Sequence, residues 1–318
     1  MPPMSQSLGP LAPGSALTEA VGAYRTCEFA TIGKDGTPTA WPTSGIACPD
    51  GSFLLTTSLG YPQKAYNVRR DARVALLFSD PTASGRPAPS QILVRGEATC
   101  PDQVHVAPEG DLAAFWTMIF ARQPGAGRYL DWPANILADF YFMRLLIRVT
   151  PTDLTVRDLP SAGGVPDGVA GSGLVGAAVL GAYPSVVLST RDRDGAPALI
   201  RTRLAAASGG YRVEVPDDVP VAPGPAALLV HRHDAKLNGL HNASVAGRLT
   251  RDDSGWLLAP ERLVEPGAHH RATLTDPLRI ARQCRATTRG YLEKRGWERP
   301  AIPWGAYRRI RAVASRLV

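Results

Sequence analysis

Four consecutive segments decide how this chain folds: SFLLTTS (52–58), LGYPQKAYNVRRD (59–71), ARVALLFSD (72–80) and, beyond a Gly- and Pro-rich turn, SQILVRGEAT (90–99). They read as a strand ending in small hydroxyls, a short helical or turn segment carrying one lysine, and two further strands. A strand end rich in Thr and Ser beside an isolated lysine can bind an anion, because hydroxyls and amides supply directed donors and the ammonium adds a point charge. Lysine is scarce, with four against thirty-one arginines, and one of the four is Lys64. The competing reading makes Lys64 a solvated helix residue and Thr56, Thr57 and Ser58 ordinary polar strand ends.

Outward from these segments the pattern stays β. FATIG and TPTAWPTSG flank a Lys-Asp-Gly turn at 34–36, and ACPDGSFLLTT repeats the device at Asp50 and Gly51. Asp-Gly supplies positive-φ positions cheaply and so marks hairpins. The alternation in ARVALLF and QILVRGEA fits barrel strands that bury one face. Helical periodicity first enters at EGDLAAFWTMIFAR (109–122), where Phe115, Trp116, Ile119 and Phe120 share a face, and again at ANILADFYFMR (134–144), before a strand LLIRVTPTDLTVRD (145–158). Trp116, Phe120 and Tyr141 are expected to pack rather than to hold a cofactor.

The pattern resembles the pyridoxamine 5'-phosphate oxidase-like split barrels that bind flavin mononucleotide (FMN). FATIGKDGTPTAWPTSG is the opening hairpin, and LLTTS, the lysine of QKAYNVRRDARVALLF and the glutamine of SQILVRGEA are the other shared marks. The resemblance runs from about residue 18 to 157 and implies that Thr56, Thr57, Ser58 and Lys64 hold the flavin phosphate and that Gln91 contacts the ring system or its polar chain. It also implies an FMN-dependent oxidoreductase acting on a small organic molecule, with a nicotinamide as one candidate reductant. The basic strand that helps grip phosphate in the oxidase proper stands here as TAWPTSG, without Arg or Lys, which argues against pyridoxamine phosphate itself. A deazaflavin (F420)-dependent reductase and a haem-binding or flavin-binding protein without catalysis are the alternatives.

The second half repeats the first in degenerate form. VVLSTRDRDGAPAL (186–199) echoes FATIGKDGTPTA, and PAALLVHRHDAKLNGLHNASVAGRLTRD (225–252) echoes the run from 72 to 100. Where the first copy has LLTTSLGYPQKAYNVRRD the second has only YRVEVPDDVPVAPG, with Asp217 and Asp218 where a phosphate would be repelled. The expected fold is mainly β with accessory helices: two tandem split β-barrels, the second degenerate. Its parts are a flexible arm (1–17), the FMN-binding barrel (18–159), a Gly-rich linker (160–176), the degenerate barrel (177–261) and a basic helical segment (262–318). Since single-barrel relatives form two-fold dimers, the tandem would retain one flavin site, between Thr56–Lys64 and Gln91 on one side and the second barrel on the other, in a monomer or a homodimer.

Charge and composition bound the rest. The net charge of +7 is unevenly placed: 1–160 carries 13 basic against 14 acidic residues and 262–318 carries 13 against 4. The surplus lies on amphipathic helical patterns, which argues against nucleic acid. No run of eighteen apolar residues suggests a membrane span, and Cys27, Cys48, Cys100 and Cys284 lack metal spacing, so a reduced cytoplasmic setting is expected. His231 and His233 share a strand face and, with His241, are the alternative metal or haem ligands. His269 and His270 could reach the site. In the C-terminal segment Asp276 can cap and Pro277 can open a helix. Trp304, Tyr307, Arg308 and Arg309 are the candidates for the substrate side of the pocket, the alternative being a cap anchored on the second barrel.

Overall fold

Asp-Gly turns set the first hairpins, with Gly36 at φ +80° and Gly51 at φ +81°, values that cost a side-chain-bearing residue strain. The computed structural model describes residues 15–86, 88–161, 163–265 and 276–317. After helix α1 (Ala16–Ala23), β1 (Cys27–Ile32) pairs with β2 (Pro38–Thr43), which continues past Ser44 into β3 (Gly45–Ala47), the partner of β4 (Phe53–Ser58). Helix α2 (Gln63–Arg70), β5 (Arg73–Phe78) and β6 (Ser90–Thr99) follow. A helical layer of α3 (Gly110–Arg122), a 3-10 turn (Pro124–Leu130), α4 (Ala134–Leu137) and α5 (Asp139–Phe142) leads to β7 (Arg144–Asp158). The single helix expected over 134–144 is thus broken at Ala138. There the Asp139 carboxylate accepts from the Phe140 amide at 2.9 Å and pairs with Arg285 and Arg299, starting a new turn.

The second unit contains α6 (Ala177–Leu180), β8 (Val186–Arg191), β9 (Pro197–Thr202), β10 (Leu204–Ala207), β11 (Gly210–Val213), β12 (Gly224–Arg232), β13 (His241–Asp252) and β14 (Gly255–Val264). Its sheet order, β9-β8-β12-β13-β14-β11-β10, repeats the β2-β1-β5-β6-β7-β4-β3 of the first strand for strand. Both long hairpins carry a register shift at the same place, Arg95/Gly96 and Ala246/Gly247. A Cβ at either glycine would lie 2.4 Å from the Thr150 carbonyl oxygen or 2.1 Å from that of Ala259, so both positions need the bare backbone. What the second unit lacks is helices between its strands: no counterpart of α2 joins β11 to β12, and a tight turn joins β13 to β14. The chain therefore forms two tandem split-barrel units, the second degenerate.

Each unit has its own apolar core, and small residues join them: Ala30, Ala40 and Ala75 of the first face Val187, Leu199 and Leu229 of the second. Alanines let the two sheets approach closely. Helices α7 (Asp276–Glu293) and α8 (Trp304–Ala314) return to the first unit, not the second. Tyr307 is buried against Trp116 and Phe142, and Cys284 lies close against Gly60. Among the described residues no helix is long and apolar enough to cross a membrane.

Candidate functional site

The hydroxyls at the end of β4 divide their tasks. Thr57 Oγ1 donates to the Tyr61 carbonyl at 2.6 Å and Ser58 Oγ accepts from the Gly60 amide at 3.2 Å, so both shape the turn that launches α2. Thr56 Oγ1 is buried and unpartnered. Lys64, in the first turn of α2, donates from Nζ to Thr43 Oγ1 at 2.9 Å and lies 5.8 Å over the Trp41 ring. Thr43 stands two residues before Gly45 and Thr57 two after Leu55, and Gly45 pairs with Leu55. The two threonines therefore flank the opening where β2 parts from β4, and Lys64 reaches that opening from α2.

Electrostatics mark this spot as cationic. Burial pulls the Lys64 ammonium down to about 8, and the charge of Arg144 pushes the same way. No carboxylate forms an ion pair with Lys64 among the described residues. Arg144, which sequence reading passed over, opens β7 opposite Ser58; its guanidinium lies 4.2 Å over Tyr141 and 4.8 Å over Trp116, with Nε unpartnered. The available signal was one arginine inside the apolar run FMRLLI.

A cleft of about 740 Å³ opens between the units, with Thr39, Trp41 and Gln63 on one wall and Leu229, Asn242 and Ser244 on the other. Gln91 is not in it. Its Oε1 accepts from the Arg201 amide at 2.9 Å and its Nε2 donates to the Arg201 carbonyl at 3.2 Å and the Asp158 carbonyl at 3.0 Å, so the amide is spent joining β6 to β9. It borders a separate cleft of about 990 Å³, with Arg157, Arg201 and Arg203. Gln91 thus lines a different cleft from Trp41, the ring over which Lys64 lies. Counting back from the shared bulge, Gln91 corresponds to Asn242, and Asn242 does line the Trp41–Gln63 cleft. Asp218 does not stand as a free repelling charge, since it pairs with Arg157, whereas Asp217 is exposed 3.6 Å from Arg251.

Of the three histidines, His231 and His233 meet at Asp80, at 3.6 and 3.5 Å, and His241 lies apart. His231 Nε2 lies 2.6 Å from Glu28 Oε1, whose carboxylate also takes Arg201 Nη2 at 2.9 Å and Ser79 Oγ at 2.9 Å. His233 Nε2 meets Thr26 at 3.2 Å and Asp80 at 3.5 Å. Although burial opposes ionisation of Glu28, its bond to His231 and the charge of Arg201 hold its carboxyl below the usual range. His241 is bound instead to the Tyr183 hydroxyl at 2.5 Å. Among the described residues no group of three or more His, Cys, Asp and Glu could hold a metal ion. His269 and His270 lie outside the described residues.

None of the C-terminal candidates borders the cleft. Tyr307 is fully buried and donates to the Val106 carbonyl at 2.8 Å, Trp304 packs edge-on against Phe142 at 5.1 Å, Arg308 donates to the Leu130 carbonyl at 3.1 Å, and Arg309 is exposed. The aromatic stripe of α3 packs as expected, with Trp116 and Phe120 buried.

A sheet order repeated twice, with an inter-unit cleft beside a hydroxyl-rich strand end, defines a tandem split barrel. Among solved structures the chain is similar to an FAD-binding protein of Mesorhizobium loti (17% identity over 49% of this chain and 98% of that one, TM-score 0.31). It is likewise similar to a haem storage protein of Vibrio cholerae (14%, 46% and 96%, TM-score 0.30) and to an F420 reductase (20%, 45% and 98%, TM-score 0.28). Neither a protein-family model nor a curated protein matches the chain.

Proposed function

We propose that the chain is an FMN-dependent oxidoreductase acting on a small organic molecule, with its single flavin in the cleft between the first unit's β2 and α2 and the second unit's β12 and β13. The observation that carries this reading is Lys64: a half-buried ammonium with one hydrogen bond, to Thr43, lying over the Trp41 ring that walls the cleft, and with no carboxylate paired to it among the described residues. An ammonium drawn partly out of water costs folding free energy unless an anion arrives to use it. Lys64, Thr43 and Thr56 would hold the phosphate with Arg144 adding charge from behind, Trp41 would flank the planar ring, and Asn242 would supply the amide first sought at Gln91. The flavin when bound supplies hydride or electron transfer, and the protein contributes orientation and exclusion of water.

One observation keeps the deazaflavin reading as the second: Lys34 and Arg262 line the same cleft against one carboxylate, Asp35, leaving a net cation for a longer anionic chain. The histidines favour haem less: His231 Nε2 is on Glu28, His233 on Thr26 and His241 on Tyr183, and none of the three lines the cleft. The test is titration of the full chain with FMN, followed by flavin fluorescence. Lys64→Ala should weaken binding by about 1.5–3 kcal/mol, the worth of a charged hydrogen bond, with folding intact. Equal affinities remove Lys64 from the site, and saturable binding of F420 without FMN binding replaces the flavin reading by the second. Reduction of the bound flavin by NADH, NADPH or reduced deazaflavin then identifies the electron donor.

A further inference from the structure

Inside the first barrel, apart from the inter-unit cleft, lies a cavity of about 280 Å³. Its inner wall is apolar, formed by Phe53, Leu55, Leu76 and Phe78, all buried, and its outer end lies between α1 and α3, where the half-buried Arg25 and Arg122 line it. No carboxylate lines it, and neither arginine forms an ion pair among the described residues. Arg122 donates to the carbonyls of Tyr24 and Gly22 at 3.0 and 2.6 Å, whereas Arg25 Nε is buried without a partner. The two guanidiniums repel each other: burial and then the charge of Arg25 lower the pKa of Arg122. An apolar chamber closed by two like charges without a counter-ion is an unfavourable arrangement by itself, and it is complementary to one chemistry.

We propose that this cavity binds a small carboxylate with an apolar body, aliphatic or aromatic, its tail against Phe53, Leu76 and Phe78 and its carboxylate between Arg25 and Arg122. Carboxylates suit guanidiniums because the planar fork offers paired donors, and a neutral molecule of the same shape would leave both charges uncompensated. The site is independent of the flavin reading, since it shares no lining residue with the Trp41–Asn242 cleft.

The test is calorimetric titration of the full chain with hexanoate and with benzoate, against hexan-1-ol and benzyl alcohol as uncharged counterparts. One equivalent of at least one acid should bind, with a Kd in the range of about 0.01–1 mM expected for so small a ligand. The matching alcohol should bind at least about tenfold more weakly, and Arg25→Gln should weaken the acid by roughly 10- to 100-fold. A Cβ at Gly22, an exposed residue at the rim of the cavity, would meet nothing within 4 Å, so a side chain can start there without a clash and Gly22→Phe is expected to obstruct the entrance. If Arg25→Gln does not fold, Gly22→Phe decides alone, by abolishing or sparing acid binding. No binding of either acid, equal affinity for acid and alcohol, or binding indifferent to the variants that fold would each overturn the proposal.

Discussion

At the scale of the residue, Lys64 controls what can be measured first. Its folded pKa of about 8 lies below the ordinary lysine value of about 10.4, so between these the unfolded chain holds a proton that the folded chain has released. Stability therefore rises with pH across that window, and the penalty for burying the charged form is present below it. Lys64→Met should remove this rise in urea unfolding followed from pH 7 to 10. Binding of an anion runs the other way, because it needs the ammonium: FMN affinity should fall once the pH passes about 8, by up to about tenfold per unit, and stay flat in Lys64→Gln. Asn242 and Gln91 separate binding from packing. Asn242→Ala should cost about 0.5–1.5 kcal/mol of flavin affinity, whereas Gln91→Ala should leave affinity unchanged and lower stability by about 1–3 kcal/mol, because it strips partners from the Arg201 backbone.

At the scale of the element, α2 distinguishes the two units. In the first, β4 passes through the Thr57 and Ser58 turn into a helix that presents Lys64. In the second, residues 214–223 cross the same gap without a helix, and Asp218 there pairs with Arg157. Helix α8 is an element whose role the fold reassigns. Its aromatics complete the layer over α3, so Tyr307→Ala should cost about 3–5 kcal/mol in urea unfolding, as a large ring removed from a packed core does. Arg309→Ala, at an exposed position outside the cleft, should leave flavin affinity and turnover within about twofold, as expected of a surface substitution; a larger loss of turnover would restore α8 to the substrate side.

At the scale of the whole molecule, the two units imitate a two-fold dimer whose halves have diverged. Glu28 and Val187 occupy matching places on β1 and β8, counted from the Asp-Gly turns, and the glutamate meets His231 and Arg201 across the interface. Glu28→Gln should cost about 3–5 kcal/mol, because it leaves the largely buried Arg201 guanidinium uncompensated. Glu28 and Asp80 both have lowered pKa values, Asp80 because hydrogen bonds from Thr82 and the nearby histidines outweigh its burial. Their contribution is therefore present above the ordinary carboxylate range of about 4 and is lost as the pH falls through the folded values. Acid titration followed by tryptophan fluorescence should show a destabilisation that Glu28→Gln reduces. Stoichiometry tests the divergence itself: one flavin per chain is expected, and two equivalents would show that the cleft beside Gln91 binds as well.

Much of this architecture was legible in local pattern, for a physical reason. Asp-Gly turns, strand alternation, the helical face of Phe115, Trp116, Ile119 and Phe120, and the doubled motif all report interactions between residues near in sequence, where φ, ψ and one buried face set the outcome. The repeat even contained the pairing of Gln91 with Asn242, since SQILVRGEA and HNASVAGRL align by their glycines. What the tertiary structure alone decided was which wall faces which. A two-fold arrangement sends Gln91 to the Arg201 cleft and brings Asn242 to the one walled by Trp41 and Gln63. It gives His231 a carboxylate partner 203 positions away, and it returns α8 to the first unit. Contacts across so much chain leave no local period, because they arise from two sheets meeting face to face rather than from the conformation of either strand.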